Sequence, residues 1–305
     1  MTIYAKLRRR PAAFRSLTGV SVREFDQLYE QVASDIDEYE EGRLSRRDRK
    51  RAIGGGASHT HDTRDRLLMA MIWLRVYPTY DVLGFIFDLH KSNIGRNLKP
   101  LLAVLRKHLT VEWPDETGRS KKSLDKFMEE FPEVTAIVDA TEQPTYRPQD
   151  KDAQKRYYSG KKKRHTLKTQ VVVRPTGELI HVSDTVPGSQ HDKSLYDESG
   201  VADRLESDEA MMGDKGYQGI QHAHRSVLPH KKPKGGELTD EQKAFNRRLS
   251  KARVVVENTI CQIKTFRVVA DRYRHPRDSH NDVFNLVAAL VNRRIQRRPL
   301  RTVLA

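Results

Sequence analysis

The chain has 305 residues, 37% of them hydrophobic and 32% charged, and a net charge of +15. That length has room for two domains with cores of their own. The longest apolar runs, Leu67 to Leu74 and Phe284 to Val291, are too short to span a bilayer, and the lone Cys261 excludes an internal disulfide and any multi-cysteine zinc site.

A single cysteine suits a reducing cytoplasm. The N-terminal MTIYAKLRRRPAAF is basic but has no apolar stretch behind it, so no secretory signal is expected. The positive charge is clustered rather than spread, which points to a polyanionic partner, nucleic acid.

The chain opens with Lys6, Arg8, Arg9 and Arg10. Phe25, Leu28, Tyr29 and Val32 recur at helical spacing and predict a helix over Val22 to Val32. An acidic patch (Asp35, Asp37, Glu38, Glu40, Glu41) is answered by Arg43, Arg46, Arg47, Arg49, Lys50 and Arg51, and Gly54-Gly55-Gly56 closes the region as a turn. Thr63 to Val76 reads as a buried helix stopped before Pro78. Asp81 to Phe87 is a short second helix, and Asp88-Leu89-His90 a tight connection. A third helix follows, with Ser92 as its expected N-cap and Pro100 as a kink or restart. Val82, Ile86, Leu89, Ile94 and Leu98 are the expected internal set, and Asn93 and Arg96 the outward, DNA-facing pair. Together they form a helix-turn-helix pattern.

Glu112 to Ser123 is polar and reads as a linker. A short helix, Leu124 to Glu130, follows, and then the pattern turns to strands. Val134 to Val138 is an apolar run ending on Asp139. Arg164 to Val173 and Glu178 to Val182 flank Pro175-Thr176-Gly177 and predict a hairpin. Between them and the first strand lies the densest basic run, Lys161, Lys162, Lys163 and Arg164 beside Tyr157 and Tyr158. Such a run suits phosphate contact with base stacking nearby; the plain alternative is a solvated hairpin tip. His191 to Asp203 looks helical, Met211-Met212-Gly213 leads to Asp214, and Val227 to Lys234 offers a further strand. Thr239 with Gln242 reads as a capping box opening a helix that includes Ser250 to Phe266. Asn281 to Gln296 is a last helix, before a basic tail with Arg297, Arg298 and Arg301. The histidine pairs His59/His61 and His222/His224 lack companions for a metal site.

The Ser250 to Phe266 stretch carries three faces instead of the usual two. At roughly 100° per residue from Arg253, Glu257 falls at about 40°, Lys264 at about 20° and Ser250 at about 60°. Val255, Val256, Ile263 and Phe266 form the apolar stripe, and Lys251, Asn258 and Gln262 a separate polar one. A carboxylate set between two cations is therefore kept off both. Asp139 and Asp214 each follow a strand-like run, and strand ends are where ligand sites of open sheets lie. Three carboxylates gathered there need a neutralising charge. Oxygen-only donors favour Mg²⁺, with Mn²⁺ as substitute, and two such ions serve in-line phosphoryl displacement. Asp192 is the rival for the second carboxylate, with a plain reading as a helix-start aspartate. His191, Tyr217 and Ser250 are auxiliary candidates.

Arg253, Glu257 and Lys264 resemble the R-x3-E-x6-K part of the signature of bacterial insertion-sequence DDE transposases; Ser250 stands where that signature has tyrosine. Gly213-Asp214-Lys215-Gly216-Tyr217 resembles their second-aspartate box, and Val138-Asp139-Ala140-Thr141 their first. The N-terminal half resembles the helix-turn-helix region ahead of a Harbinger-like DDE domain. The resemblance implies an α/β chain in which an RNase-H-like mixed-sheet catalytic domain (133–275) follows an all-α DNA-binding domain (1–112). A linker with a short helix (113–132) would join them, and a C-terminal helix and tail (276–305) would follow. It implies metal-dependent hydrolysis at transposon ends and attack of the freed 3′-OH on target DNA. Asp139, Asp214 and Glu257 would hold the metals; Arg253 and Lys264 would hold DNA. Double-stranded DNA, a homo-oligomer on that DNA, no membrane and a cytoplasmic, nucleoid-associated place are the expected setting. A non-cleaving DNA-binding regulator and a general metal-dependent nuclease are the alternatives.

Overall fold

The structure is a computed structural model describing residues 1–45, 60–112 and 125–297. The basic run Arg46 to Arg51, the glycine triplet, His59, the linker 113–124 and the tail with Arg298 and Arg301 lie outside the described residues. The chain divides into two compact units. One is Met1–Thr110 with Thr265–Val268; the other is Val111–Lys264 and resumes at Val269. Among the described residues no helix is long and apolar enough to cross a membrane.

The first unit is helical: α1 Ile3–Leu7, α2 Pro11–Thr18, α3 Val22–Leu44, α4 Thr63–Val76, α5 Tyr80–Phe87 and α6 Lys91–His108. Ser21 and Glu24 form a capping box that starts α3, which runs on through the acidic patch. Leu67 to Leu74 are buried on every side, so α4 is the unit's central helix. It ends at Tyr77, whose left-handed backbone precedes Pro78. Three expectations change here. The α6 cap is His90, whose ring accepts from Ser92 N, so Ser92 lies inside the helix. Pro100 neither ends nor restarts α6. Val82 and Ile86 face outward, because Leu83 and Phe87 carry the buried stripe of α5. The α5–α6 turn also depends on Gly84: a Cβ there would stand 2.3 Å from the Leu89 carbonyl oxygen.

Phe266 is buried, yet not on the long helix. That helix ends at Lys264, and Phe266 packs within the first unit, under Arg75 and against Gly19.

The second unit begins with α7 Asp125–Glu130 and β1 Val134–Pro144. Then come α8 Lys151–Tyr157, β2 Tyr158–Ser159, β3 Arg164–Val173, β4 Leu179–Val182, β5 Val186–Pro187 and α9 Asp192–Glu198. It closes with β6 Ala210–Met212, β7 Ser226–Val227, α10 Asp240–Lys264 and α11 His280–Gln296. Across the sheet the order is β4, β3, β1, β6, β7. The first three are antiparallel neighbours; β6 and β7 run parallel to β1. Three antiparallel strands in sequence followed by two parallel ones is the RNase-H-like mixed sheet. Ala136, Val138, Val172, Met211 and Tyr217 pack into one core with Tyr196 of α9. The alternate residues of β1 reach the other helices: Asp139 meets Arg253 of α10, and Gln143 meets His280 of α11.

Two buried polar residues of α11 hold this unit together. The Asn292 side chain accepts from Leu179 N at 2.9 Å and donates to Leu179 O at 2.8 Å, taking the place of a strand neighbour for β4. Asn292→Ala leaves both backbone groups buried and unpaired. It is expected to lower the unfolding free energy by about 2–3 kcal/mol in urea titrations.

His280 is 1% exposed, with its ring bonded to Gln143 and Thr185. Burial pushes its pKa down to about 4. The folded state therefore binds fewer protons than the unfolded one between that value and the ordinary 6.5. Stability from this residue is complete above pH 6.5 and falls as the pH drops towards 4. Between pH 7 and pH 5 the wild type should lose roughly 2 kcal/mol more than His280→Gln, at about 1.4 kcal/mol per pH unit. Paired urea titrations at the two pH values measure it.

Candidate active site

The first carboxylate is placed by strand register. In the parallel β1·β6 pair Ile137 faces Met212; Asp139 lies two residues further along β1, and Asp214 two residues past the end of β6. Asp139 was expected to end its strand, but β1 continues to Pro144. Its other edge is paired with β3 as far as Pro144↔Thr166, so nothing forces it to stop. It is β6 that ends, at Met212, and this opens the edge of β1 beside Asp139. Asp214 Oδ1 accepts from Gly216 N at 2.7 Å, which fixes the turn after the strand.

The third carboxylate arrives on α10. Thr239 and Gln242 form the capping box at its start, and Leu249, Val256, Ile260 and Ile263 bury its apolar stripe. That phase turns Arg253 towards β1. Its guanidinium lies 3.3 Å from Asp139 Oδ2 and 3.9 Å from Glu257 Oε1. The Asp139 pKa is pushed up to about 6, mainly by burial; Arg253 and the Ala140 N–H oppose the rise, while Asp214 and Glu257 add to it. Asp139, Asp214 and Glu257 thus share one electrostatic field. Among the described residues no three carboxylate, imidazole or thiol groups are close enough to chelate one ion. Arg253 lies between Asp139 and Glu257 and is the positive charge they share.

Cations flank this group. Lys264 Nζ donates to the Glu142 carbonyl at 3.4 Å, and its pKa is lowered by burial and by Lys162. Lys162 belongs to the turn between β2 and β3, an exposed hairpin tip that also presents Lys161, Lys163 and Arg164. Ser250 is exposed on α10, and His191 is exposed just before α9. His224 pairs with the Tyr196 hydroxyl and His61 with the Phe87 carbonyl, so both are engaged in protein contacts. Asn93 and Arg96 belong to the first unit, where Arg96 donates to Asn93 Oδ1 at 3.2 Å on the outer side of α6.

Sequence reasoning missed Lys168. It lies on β3, is 7% exposed and donates to Asp192 Oδ1 at 2.8 Å. The signal was there: a lysine inside a strand segment such as Leu167 to Val173 has to be paired if it is buried.

Residues 138–292 match the family described as DDE superfamily endonuclease. Residues 62–110, spanning α4 to α6, match the helix-turn-helix of that superfamily. The chain is also 32% identical, over 92% of its length and 93% of the relative's, to a protein of Microchaete diplosiphon described as "Probable transposase for insertion sequence element IS702". The chain belongs to the insertion-sequence DDE transposases. One chain of a crystal structure of a pre-cleavage Mos1 transpososome aligns with 87% of this transposase and 98% of its own length. With 8% identity and a TM-score of 0.23 that alignment carries no argument. The family places a helix-turn-helix in the first unit and an endonuclease in the second. The endonuclease match begins one residue before Asp139 and includes Asp214, Arg253, Glu257 and Lys264.

Proposed function

We propose that this transposase binds the ends of its element through α5 and α6, then cuts DNA and joins the freed 3′-OH to target DNA at Asp139, Asp214 and Glu257. The observation that supports the reading is the Arg253 guanidinium between Glu257 and Asp139, the latter on the strand whose parallel neighbour β6 leads to Asp214. All three are carboxylates, the donor type that hard divalent cations favour, and the first is buried with one guanidinium against three acids. Asp139, Asp214 and Glu257 would hold Mg²⁺ or Mn²⁺, two ions by expectation, which supply charge neutralisation for in-line displacement at phosphorus. The protein's own part is positioning. Lys264 and the Lys161–Arg164 tip bind phosphate oxygens alongside the acids, and Arg253 balances the carboxylates and contacts the DNA strand. Two ends must be held together, so a homo-oligomer is expected on DNA.

The deciding experiment is a terminal-repeat duplex with wild-type protein, with and without Mg²⁺. Strand scission at the repeat end followed by joining to a second duplex supports the reading. Salt-sensitive binding with no scission means a non-cleaving regulator, and equal cutting of unrelated duplexes means a general nuclease.

Arg96→Ala should weaken binding to the repeat by about 1–3 kcal/mol and to random DNA by much less, because a base-edge contact carries specificity. Competitive gel-shift titration measures both. Equal losses would make Arg96 a phosphate contact only.

A further inference from the structure

Past the end of β1 the second unit carries a surface that the chemistry at the acids does not use. Three segments meet there: 144–147, 157–165 and 272–277. Thr145 N donates to the His165 carbonyl at 2.9 Å, and Tyr273 N to the Pro144 carbonyl at 2.8 Å. Arg277 NH2 donates to the Tyr146 carbonyl at 2.8 Å. Bonds to the backbone thus hold the three segments side by side.

Their side chains pair rings with cations. Arg272 lies over the Tyr146 ring, 5.4 Å from its centroid, and Arg277 over the Tyr157 ring at 4.9 Å. Tyr158 meets the His165 ring edge-on at 5.6 Å. Tyr146 and Tyr158 remain 51% and 43% exposed, so their neighbours back these rings without covering them. Arg147, Arg156 and Arg274 are exposed on the same segments, as is the Lys161–Arg164 tip. The partners of the arginines at the rings are neutral: Arg147 donates to Gln154, and Arg272 and Arg277 rest on rings and a carbonyl.

A nucleic-acid strand offers what such a surface takes. Phosphates match the cations, and base faces match the half-open rings. Duplex DNA needs only the charge, because each of its base faces is already covered by the next base pair. Exposed aromatic rings among cations therefore favour a strand whose bases are unpaired.

We infer that this surface holds an unpaired DNA strand, with bases stacked on Tyr146 and Tyr158 and phosphates on Arg147, Arg272 and the β2–β3 tip. Its place relative to the cut rests on the function proposed above. From Asp139 to Pro144 β1 runs roughly 17 Å, at about 3.4 Å per residue. A strand that leaves the acids along β1 reaches the rings after about five nucleotide steps of about 3.4 Å. The surface captures the strand that separates beside the cut and keeps it from pairing again.

The test uses the full-length protein with two probes, a thymine homopolymer single strand and a random-sequence duplex, followed by fluorescence anisotropy. Tyr146→Ala and Tyr158→Ala should each weaken single-strand binding by roughly 5–150-fold, the cost of one lost stacked base. Duplex binding should stay near wild type. Tyr146→Phe and Tyr158→Phe keep the rings and should bind the single strand as the wild type does. Arg272→Ala should lower the salt slope of single-strand binding by about 0.7, the share of one phosphate. A 2-aminopurine moved along an unpaired flank of a terminal-repeat duplex should be quenched most about five nucleotides from the cut. Thermal unfolding shows that the variants are folded; both tyrosines are at the surface, and Arg277 keeps its backbone acceptor in each. Equal losses on the two probes would make this a duplex surface and overturn the inference. So would wild-type single-strand affinity in both alanine variants. Wild-type protein that cuts no DNA, yet keeps the tyrosine dependence, would overturn the endonuclease reading and leave the strand-binding surface standing.

Discussion

Asp139→Asn is expected to cut Mg²⁺-dependent strand scission by about 10³-fold or more while the protein stays folded and still binds the terminal repeat. The size follows from what the carboxylate is asked to hold. Cation stabilisation of the charge that develops at phosphorus is worth several kcal/mol, and each 1.36 kcal/mol is tenfold in rate. Asparagine keeps the shape and the Oδ1 that accepts from Ala140 N, but it is a poor ligand for a hard cation. The fold should tolerate it well, because the ionised form is already disfavoured at this position: burial, Asp214 and Glu257 all push the pKa up. The metal-free variant should therefore unfold at the wild-type Tm or slightly above it, and Mn²⁺ should raise its Tm less than it raises that of the wild type. Single-turnover nicking with scans in EDTA and Mn²⁺ measures all three. Undiminished nicking by Asp139→Asn and by Glu257→Gln would remove these residues from the chemistry.

The order of elements could be read along the chain, because most of them announce themselves locally. Thr63 to Val76 carries the continuous apolar run Leu67 to Leu74 and is bounded by Asp62 and Pro78, and its limits are found to the residue. The Thr239/Gln242 box and the Pro175-Thr176-Gly177 turn are equally local. What the chain does not reveal depends on pairing at a distance. Whether β1 stops at Asp139 is decided by β3, which carries it on to Pro144, and by β6, which gives out at Met212. The phase of α5 is ambiguous in a segment as apolar as Tyr80–Phe87, and only packing selects Leu83 and Phe87 over Val82 and Ile86. Phe266 continues the helical stripe in sequence but falls after the helix end, in the core of the other unit. At the site, the order of the acids was legible from their flanking runs. The Lys168–Asp192 pair was not, because it joins β3 to α9 across a sequence separation of 24.

Arg66→Met is expected to destabilise the helical unit by about 3–5 kcal/mol, the usual cost of breaking a buried ion pair by removing one member. Arg66 is 3% exposed on α4. Its NH2 donates to Glu40 Oε1 of α3 at 2.7 Å, and its Nε donates to Asn97 Oδ1 of α6 at 2.7 Å. Asn97 in turn donates to the Asn93 carbonyl at 2.8 Å, one turn back on α6. One guanidinium thus joins three helices and ends beside the Asn93–Arg96 pair proposed to face DNA. Methionine fills much of the same volume, so lost packing contributes little, and the lost Arg66–Glu40 and Arg66–Asn97 hydrogen bonds dominate. Adding Glu40→Leu should therefore restore most of the stability, since an apolar replacement for the whole ion pair removes the burden of burying charge. It should not restore the alignment of α6, because Asn97 would still lack its donor. The double variant is expected to unfold near the wild-type denaturant midpoint and yet to discriminate poorly between the terminal repeat and random DNA. Denaturant titrations paired with competitive binding separate the two effects. An Arg66→Met protein within 1 kcal/mol of wild type would show that the Arg66–Glu40 pair does not hold the three helices together.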